Sequence, residues 1–305
     1  MQTMNSKVQG LKQFLGHPGR IALVEVAATK GSTPREAGAF MLVSLSSIFG
    51  TIGGGQLEYM AIDKARQMLG KGARPRSPAG EARIEVDEVC ATLDIPLGPE
   101  IGQCCGGRVE VLIRLVDATL AQELVAGAEA EEEHLPHVYI FGGGHVGQAL
   151  AAAVALLPVH VVVIETRAEA LEGMPETVET SLTPMPEAMV RKAPAGTAFA
   201  ILTHDHALDF LIVAEALKRD DAAYVGMIGS KTKKATFRNW FLKSADGSEA
   251  EFARLVSPIG GDTVKDKRPQ VIAALAAAEI MTALVAHTAA SVAPYPASRD
   301  KAMAS

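Results

Sequence analysis

The residues best suited to chemistry fall in a few short clusters. Gly142-Gly143-Gly144-His145-Val146-Gly147 follows an apolar run, Val138 to Phe141, and precedes an Ala/Leu-rich stretch reaching Leu157. This is the spacing of a phosphate-binding turn: Gly142 permits the turn, Gly144 lets the backbone approach a pyrophosphate, and Gly147 lets helix pack closely on strand. The N–H groups of the helix start, His145 among them, face an anion. A second apolar run, Val159 to Ile164, ends on Glu165, the terminal carboxylate of a dinucleotide-binding βαβ unit. The plainer alternative is a nucleotide-free α/β unit whose glycines serve packing alone.

Other clusters are less specific. Lys30-Gly31-Ser32-Thr33-Pro34-Arg35 puts two hydroxyls and two cations beside a glycine, so Ser32, Thr33 and Arg35 could hold an anion or simply connect strands. Gly53-Gly54-Gly55-Gln56-Leu57-Glu58 opens an amphipathic helix and forms a second glycine-to-helix turn. Three consecutive glycines exceed what a cap needs. Thr203-His204-Asp205-His206 and Gly229-Ser230-Lys231 each follow an apolar strand, at the carboxyl ends where open parallel sheets bind ligands. His204, Asp205 and His206 could ligate a metal, transfer protons or touch a ligand, whereas Asp205 or His206 could equally cap the next helix. Without a second carboxylate cluster, ligand contact is favoured over metal.

Gln103-Cys104-Cys105-Gly106-Gly107 carries adjacent thiols. Successive side chains of an extended backbone point to opposite faces, so only one of Cys104 and Cys105 can face a site. Zinc is a poor reading, because no CxxC pair or tetrahedral set is present. A buried structural thiol and a thiolate offered to a soft ligand both remain open.

These clusters must be positioned by a chain of 305 residues, long enough for two domains. A net charge of −6 offers no basic stripe for nucleic acid. No membrane span or secretory signal is visible, and three cysteines, two of them adjacent, suit a reducing compartment. The expected location is cytoplasmic. The expected fold is α/β: an N-terminal α+β domain (1–118), an acidic linker or exposed helix (119–136), a Rossmann-like doubly wound parallel-sheet domain (137–290) and a tail (291–305) without an ordering pattern.

Taken together, GSTPREAGAFMLV from Gly31, GTIGGGQLE from Gly50, QCCGG from Gln103, FGGGHVGQAL from Phe141, THDHALD from Thr203, GMIGSKTK from Gly226 and SPIGGD from Ser257 resemble the XdhC/CoxI family. These are accessory proteins of xanthine dehydrogenase and related molybdenum hydroxylases, and the resemblance covers nearly the whole chain. Two positions depart from the family pattern: Glu165 stands where Asp is usual, and Gly261 replaces the usual Leu before Asp262.

The resemblance implies a chaperone rather than an enzyme. Such a protein binds the molybdenum cofactor, protects it while a cysteine desulfurase installs its terminal sulfur, and delivers it to apo-xanthine dehydrogenase or a related hydroxylase. It also implies a homodimer. The glycine turns would cradle the cofactor phosphate, Cys104 or Cys105 would approach its molybdenum, and Asp262 would join the site. NAD(P) or another nucleotide at the Rossmann turn is a further expectation. The rival readings are an NAD(P)-dependent oxidoreductase, supported by Gly142 to Glu165 alone, and a metal-dependent hydrolase using His204, Asp205 and His206.

Overall fold

A computed structural model describes residues 7–70, 83–86, 90–97 and 107–292. The chain divides into two compact units, the first spanning Ser6–Glu131 and the second running from Glu132 onward.

The first unit is built on one antiparallel sheet of β1 (Ala22–Lys30), β2 (Phe40–Val43), β3 (Ile48–Gly50), β4 (Arg83–Val86), β5 (Cys90–Pro96) and β6 (Arg108–Leu115), in the order β3-β2-β1-β6-β5-β4. Alternation along the strands divides its apolar side chains between two faces. Met41 and Val43 turn toward α2 (Gly55–Leu69), which buries Leu57, Ala61 and Ala65, while Leu42 turns toward α1 (Lys7–Leu15) and α3 (Ala118–Glu133).

β5 is a strand the sequence reading leaves unassigned. Ala91, Leu93 and Ile95 alternate into the core there, but a seven-residue run ending in proline looks like the approach to a turn. The segment expected as an acidic linker or exposed helix at 119–136 is α3, and it belongs to this first unit. Ala128 is buried among Leu120, Leu124 and Val125, and α1 supplies the countercharge through Lys7–Glu131 (2.8 Å) and Lys12–Glu129 (2.6 Å) ion pairs.

The second unit is a parallel sheet of β7 (His137–Phe141), β8 (His160–Glu165), β9 (Glu179–Leu182), β10 (Ala198–Ile201), β11 (Tyr224–Met227) and β12 (Leu255–Val256). Its order, β12-β11-β10-β7-β8-β9, is that of a doubly wound dinucleotide-binding sheet. The order reverses between β7 and β10, so the crevice at their carboxyl ends is the place for a ligand.

Both faces of this sheet are covered, which explains its nearly unbroken apolar strands. Val138 and Ile140 pack with α4 (His145–Val154) and α9 (Pro269–Val292). Tyr139 and Phe141 pack in the opposite core, to which α5 (Glu187–Lys192), α6 (His206–Leu217), α7 (Lys231–Ser244) and α8 (Glu249–Phe252) contribute. Pro269–Ala290 within α9 is long and apolar enough by composition to cross a membrane. Here Ala273, Ala276, Ala277, Ile280 and Leu284 form a buried stripe in the same core as α4 and the sheet. Of the expected tail, residues 293–305 lie outside the described residues.

Candidate functional site

The turn after β7 is held by contacts that assign each glycine a cause. Gly142 has φ of 108°, and a Cβ there would lie 2.7 Å from the Leu202 carbonyl oxygen. A Cβ on Gly147 would stand 1.9 Å from the Gly142 oxygen, and one on Gly143 would stand 2.2 Å from the Ala170 oxygen. The protein itself therefore requires these three. Gly144 differs: its φ of −70° is open to any residue, and a Cβ there would meet nothing within 4 Å. It lines a cleft of about 200 Å³ with Gly142, His145, Val146 and Arg167, opposite Thr203 and His204. Space kept clear at the N-terminus of α4 is what a bound anion needs.

Glu165 stands at the end of β8 as expected, but its carboxylate is turned back into the protein. The side chain is 4% exposed. Oε2 accepts from the Gly143 N–H (3.0 Å) and Arg167 Nη2 (3.1 Å), and Oε1 from the Thr166 N–H (2.7 Å), the Thr166 hydroxyl (3.1 Å) and the Arg167 N–H (3.2 Å) and Nε (3.4 Å). Burial alone would raise its pKa, but Arg167, Gly143 and Thr166 more than offset that and bring it from 4.5 down to about 2. A depressed pKa of this kind stabilises the fold above the unfolded-state value and ceases to do so as pH falls through the folded one. The parent protein should therefore lose stability between about pH 4.5 and about pH 2 through Glu165, and Glu165→Gln should flatten that part of the curve. Acid titrations of parent and variant with equal slopes in that window would remove Glu165 from the acid response.

The His-Asp-His cluster separates on inspection. Asp205 caps α6, its Oδ1 accepting from the Ala207 (2.8 Å) and Leu208 (3.3 Å) N–H groups. Those two N–H groups hold its carboxyl below the usual range. His206 is the exposed first residue of α6, and of the three only His204 lines the cleft. Among the described residues, no three His, Cys, Asp or Glu side chains are grouped to hold a metal ion.

Beneath this loop lies a pair that sequence reasoning missed. Asp209, 0% exposed, is ion-paired with Lys233, whose side chain is 7% exposed. Asp209 Oδ1 also accepts from the Thr203 N–H (3.2 Å) and hydroxyl (2.6 Å), and Lys233 Nζ donates to the Ile228 carbonyl (3.0 Å). The pair thus ties the chain leaving β10 to the chain leaving β11. A signal was present, because Asp209 shares a helical stripe with the buried Val213 and Ala216, and Lys233 shares one with Phe237 and Phe241.

The remaining expected residues of this unit do not line the cleft. Ser230 caps α7 by accepting from the Lys233 N–H (3.3 Å), and Gly229 lies where a Cβ would stand 2.6 Å from Lys233 Cδ. Lys231 and Asp262 are exposed and face each other at 3.5 Å.

In the first unit, three expected segments come together. A Cβ on Gly53 would be 2.9 Å from Pro34, and one on Gly107 would be 2.2 Å from the Ser32 oxygen. The loop holding Ser32, Thr33 and Arg35 therefore packs against both. Thr33 spends its hydroxyl on the Arg35 carbonyl (3.0 Å). Glu58 shapes the glycine turn from within, accepting from the Thr51 hydroxyl (2.5 Å) and the Ile52 (3.1 Å) and Gly54 (3.0 Å) N–H groups. What the turn has left for a ligand is the start of α2 at Gly55 and Gln56. Cys104, Cys105 and Gly106 lie outside the described residues.

Sheet order and the crevice at the strand ends define a protein with a Rossmann-type domain joined to an antiparallel α+β domain. The sequence model of the XdhC Rossmann domain matches residues 138–280, and that of the XdhC and CoxI family matches residues 16–77. The chain belongs to the XdhC and CoxI family. It is 29% identical over 271 residues to the uncharacterized protein YqeB of Escherichia coli (strain K12), covering 85% of this chain and 43% of YqeB. The chain thus spans less than half the length of that curated relative. Its fold matches a crystal structure described as a xanthine dehydrogenase from Bacillus halodurans, with a TM-score of 0.72 and 18% identity over 92% of this chain and 96% of that one.

Proposed function

We propose that this protein serves the maturation of a xanthine dehydrogenase-type molybdenum hydroxylase, and that it does so by holding the molybdenum cofactor until the apo-hydroxylase takes it. The family supports a maturation role. The observation that carries the cofactor reading is Gly144, which neither backbone conformation nor packing requires and which leaves open space above a helix start. A pterin phosphate fits that cradle. In the first unit, Cys104 or Cys105 would offer a soft thiolate to a soft centre such as molybdenum. On this reading the partners are the apo-hydroxylase and a cysteine desulfurase, the protein works in the cytoplasm as a homodimer, and it has no turnover of its own.

The test is co-purification from a molybdate-replete host, followed by molybdenum analysis, pterin fluorescence and activation of apo-hydroxylase. Near-stoichiometric molybdenum and pterin, with a rise in hydroxylase activity on mixing, are expected. The doubly wound strand order keeps an NAD(P)-dependent oxidoreductase as the second reading. Sustained oxidation of NAD(P)H by the pure protein with a simple carbonyl substrate, and no bound molybdenum, would establish it instead.

A further inference from the structure

The end of β8 is where a Rossmann domain distinguishes one nucleotide from another. A carboxylate there accepts hydrogen bonds from ribose hydroxyls, whereas an arginine accommodates a phosphate on the ribose. In this chain the carboxylate is present but its acceptor capacity is spent. Two carboxylate oxygens offer about four lone-pair sites, and those of Glu165 already face the Gly143 N–H, the N–H and hydroxyl of Thr166, and the N–H, Nε and Nη2 of Arg167. Nothing remains for a ribose diol.

The same arrangement prepares Arg167. Its Nε and Nη2 are pinned on Glu165, which fixes the plane of the guanidinium and leaves the Nη1 protons and the second Nη2 proton free of that carboxylate. The side chain is 41% exposed and lines the cleft. A guanidinium held on one edge and open on the other suits a bidentate phosphate contact. Gly144 and the start of α4, suited to a pyrophosphate, line the same cleft. Among the described residues lining the cleft, Glu165 is the one carboxylate, and beyond the lining the charge of Glu169 also reaches Arg167.

The geometry points to a cleft that selects a dinucleotide carrying a ribose 2′-phosphate, the chemistry of NADP(H), over its unphosphorylated counterpart, with Arg167 as the specificity-determining residue. The inference rests on the reading that this cleft binds phosphate. Both the dinucleotide and the proposed molybdenum cofactor would place a phosphate above Gly144, so the two are competing occupants of one cleft.

Calorimetric titration of the full chain with NADP+, NAD+, 2′,5′-ADP and 5′-AMP tests it. NADP+ should bind about tenfold or more tightly than NAD+, and 2′,5′-ADP should exceed 5′-AMP by a similar factor. Arg167→Met should bring both ratios close to one or below it, since it removes the phosphate contact and returns acceptor capacity on Glu165 to a ribose diol, and Arg167→Lys, which keeps the charge without the fork, should fall between. Melting temperatures of both variants guard against misfolding, and the ratio measured on the parent protein stands without them. Equal binding of NADP+ and NAD+ overturns the inference, as does a preference that survives in Arg167→Met. Failure of every nucleotide to bind the protein freed of cofactor also overturns it, and leaves the maturation reading intact where the same protein co-purifies with molybdenum and pterin.

Discussion

Lys233→Met should lower the free energy of unfolding by about 3–5 kcal/mol, the usual cost of stranding one member of a buried ion pair. Asp209 is fully buried, so without the ammonium its Oδ2 would lose its compensating charge and, among the described residues, only Thr203 would still donate to the carboxylate. The Ile228 carbonyl would lose the Nζ donor as well. Because the pair joins the loops after β10 and β11, the damage should reach Thr203 and His204 on the cleft wall. Urea denaturation measures the loss. The double variant Asp209→Leu/Lys233→Met should recover part of it, since removing both charges removes the unpaired one, although the Thr203 N–H then lacks its acceptor. A single variant within about 0.5 kcal/mol of the parent, the range of an ordinary surface substitution, would mean that the pair contributes nothing to the fold.

The βαβ unit was legible because its information is local. Glycine spacing, an apolar run on either side and a strand-end acid fall within 30 residues, and the contacts around Gly142 and Gly147 supply the tasks their spacing implies. The capping role of Asp205 was legible as one of two readings for the same reason. What the sequence did not reveal depends on distance or on side-chain direction. Asp209 and Lys233 are 24 residues apart, and each looks like an ordinary charge on a helix until the helices are packed. Glu165 reads the same whether it faces a ligand or turns back to Gly143. The extra methylene relative to the family's Asp lengthens its reach, but only the fold shows where that reach goes. Likewise the acidic run in α3 reads as solvated until Lys7 and Lys12 are brought beside it. Composition identifies a charge, and packing decides its partner.

The glycines of the Rossmann turn should divide sharply when each is replaced. In Gly147→Ala the new methyl group would sit 1.9 Å from the Gly142 oxygen, and in Gly143→Ala it would sit 2.2 Å from the Ala170 oxygen, so the start of α4 or the segment after β8 must move. Backbone oxygens cannot swing aside as side chains do, and a loss of about 1–3 kcal/mol or more is expected for each. Gly144→Val should behave oppositely. The residue has an ordinary φ and open space above it, so folding should change by no more than about 1 kcal/mol. The side chain would project into the volume a phosphate needs, however, and NADP+ affinity should fall at least about 100-fold, as for a lost set of charge-assisted contacts. Thermal melts and NADP+ titrations of the three variants separate the two kinds of glycine. If Gly144→Val binds NADP+ and retains molybdenum and pterin as well as the parent does, the space above Gly144 is not a ligand site and the turn serves packing alone.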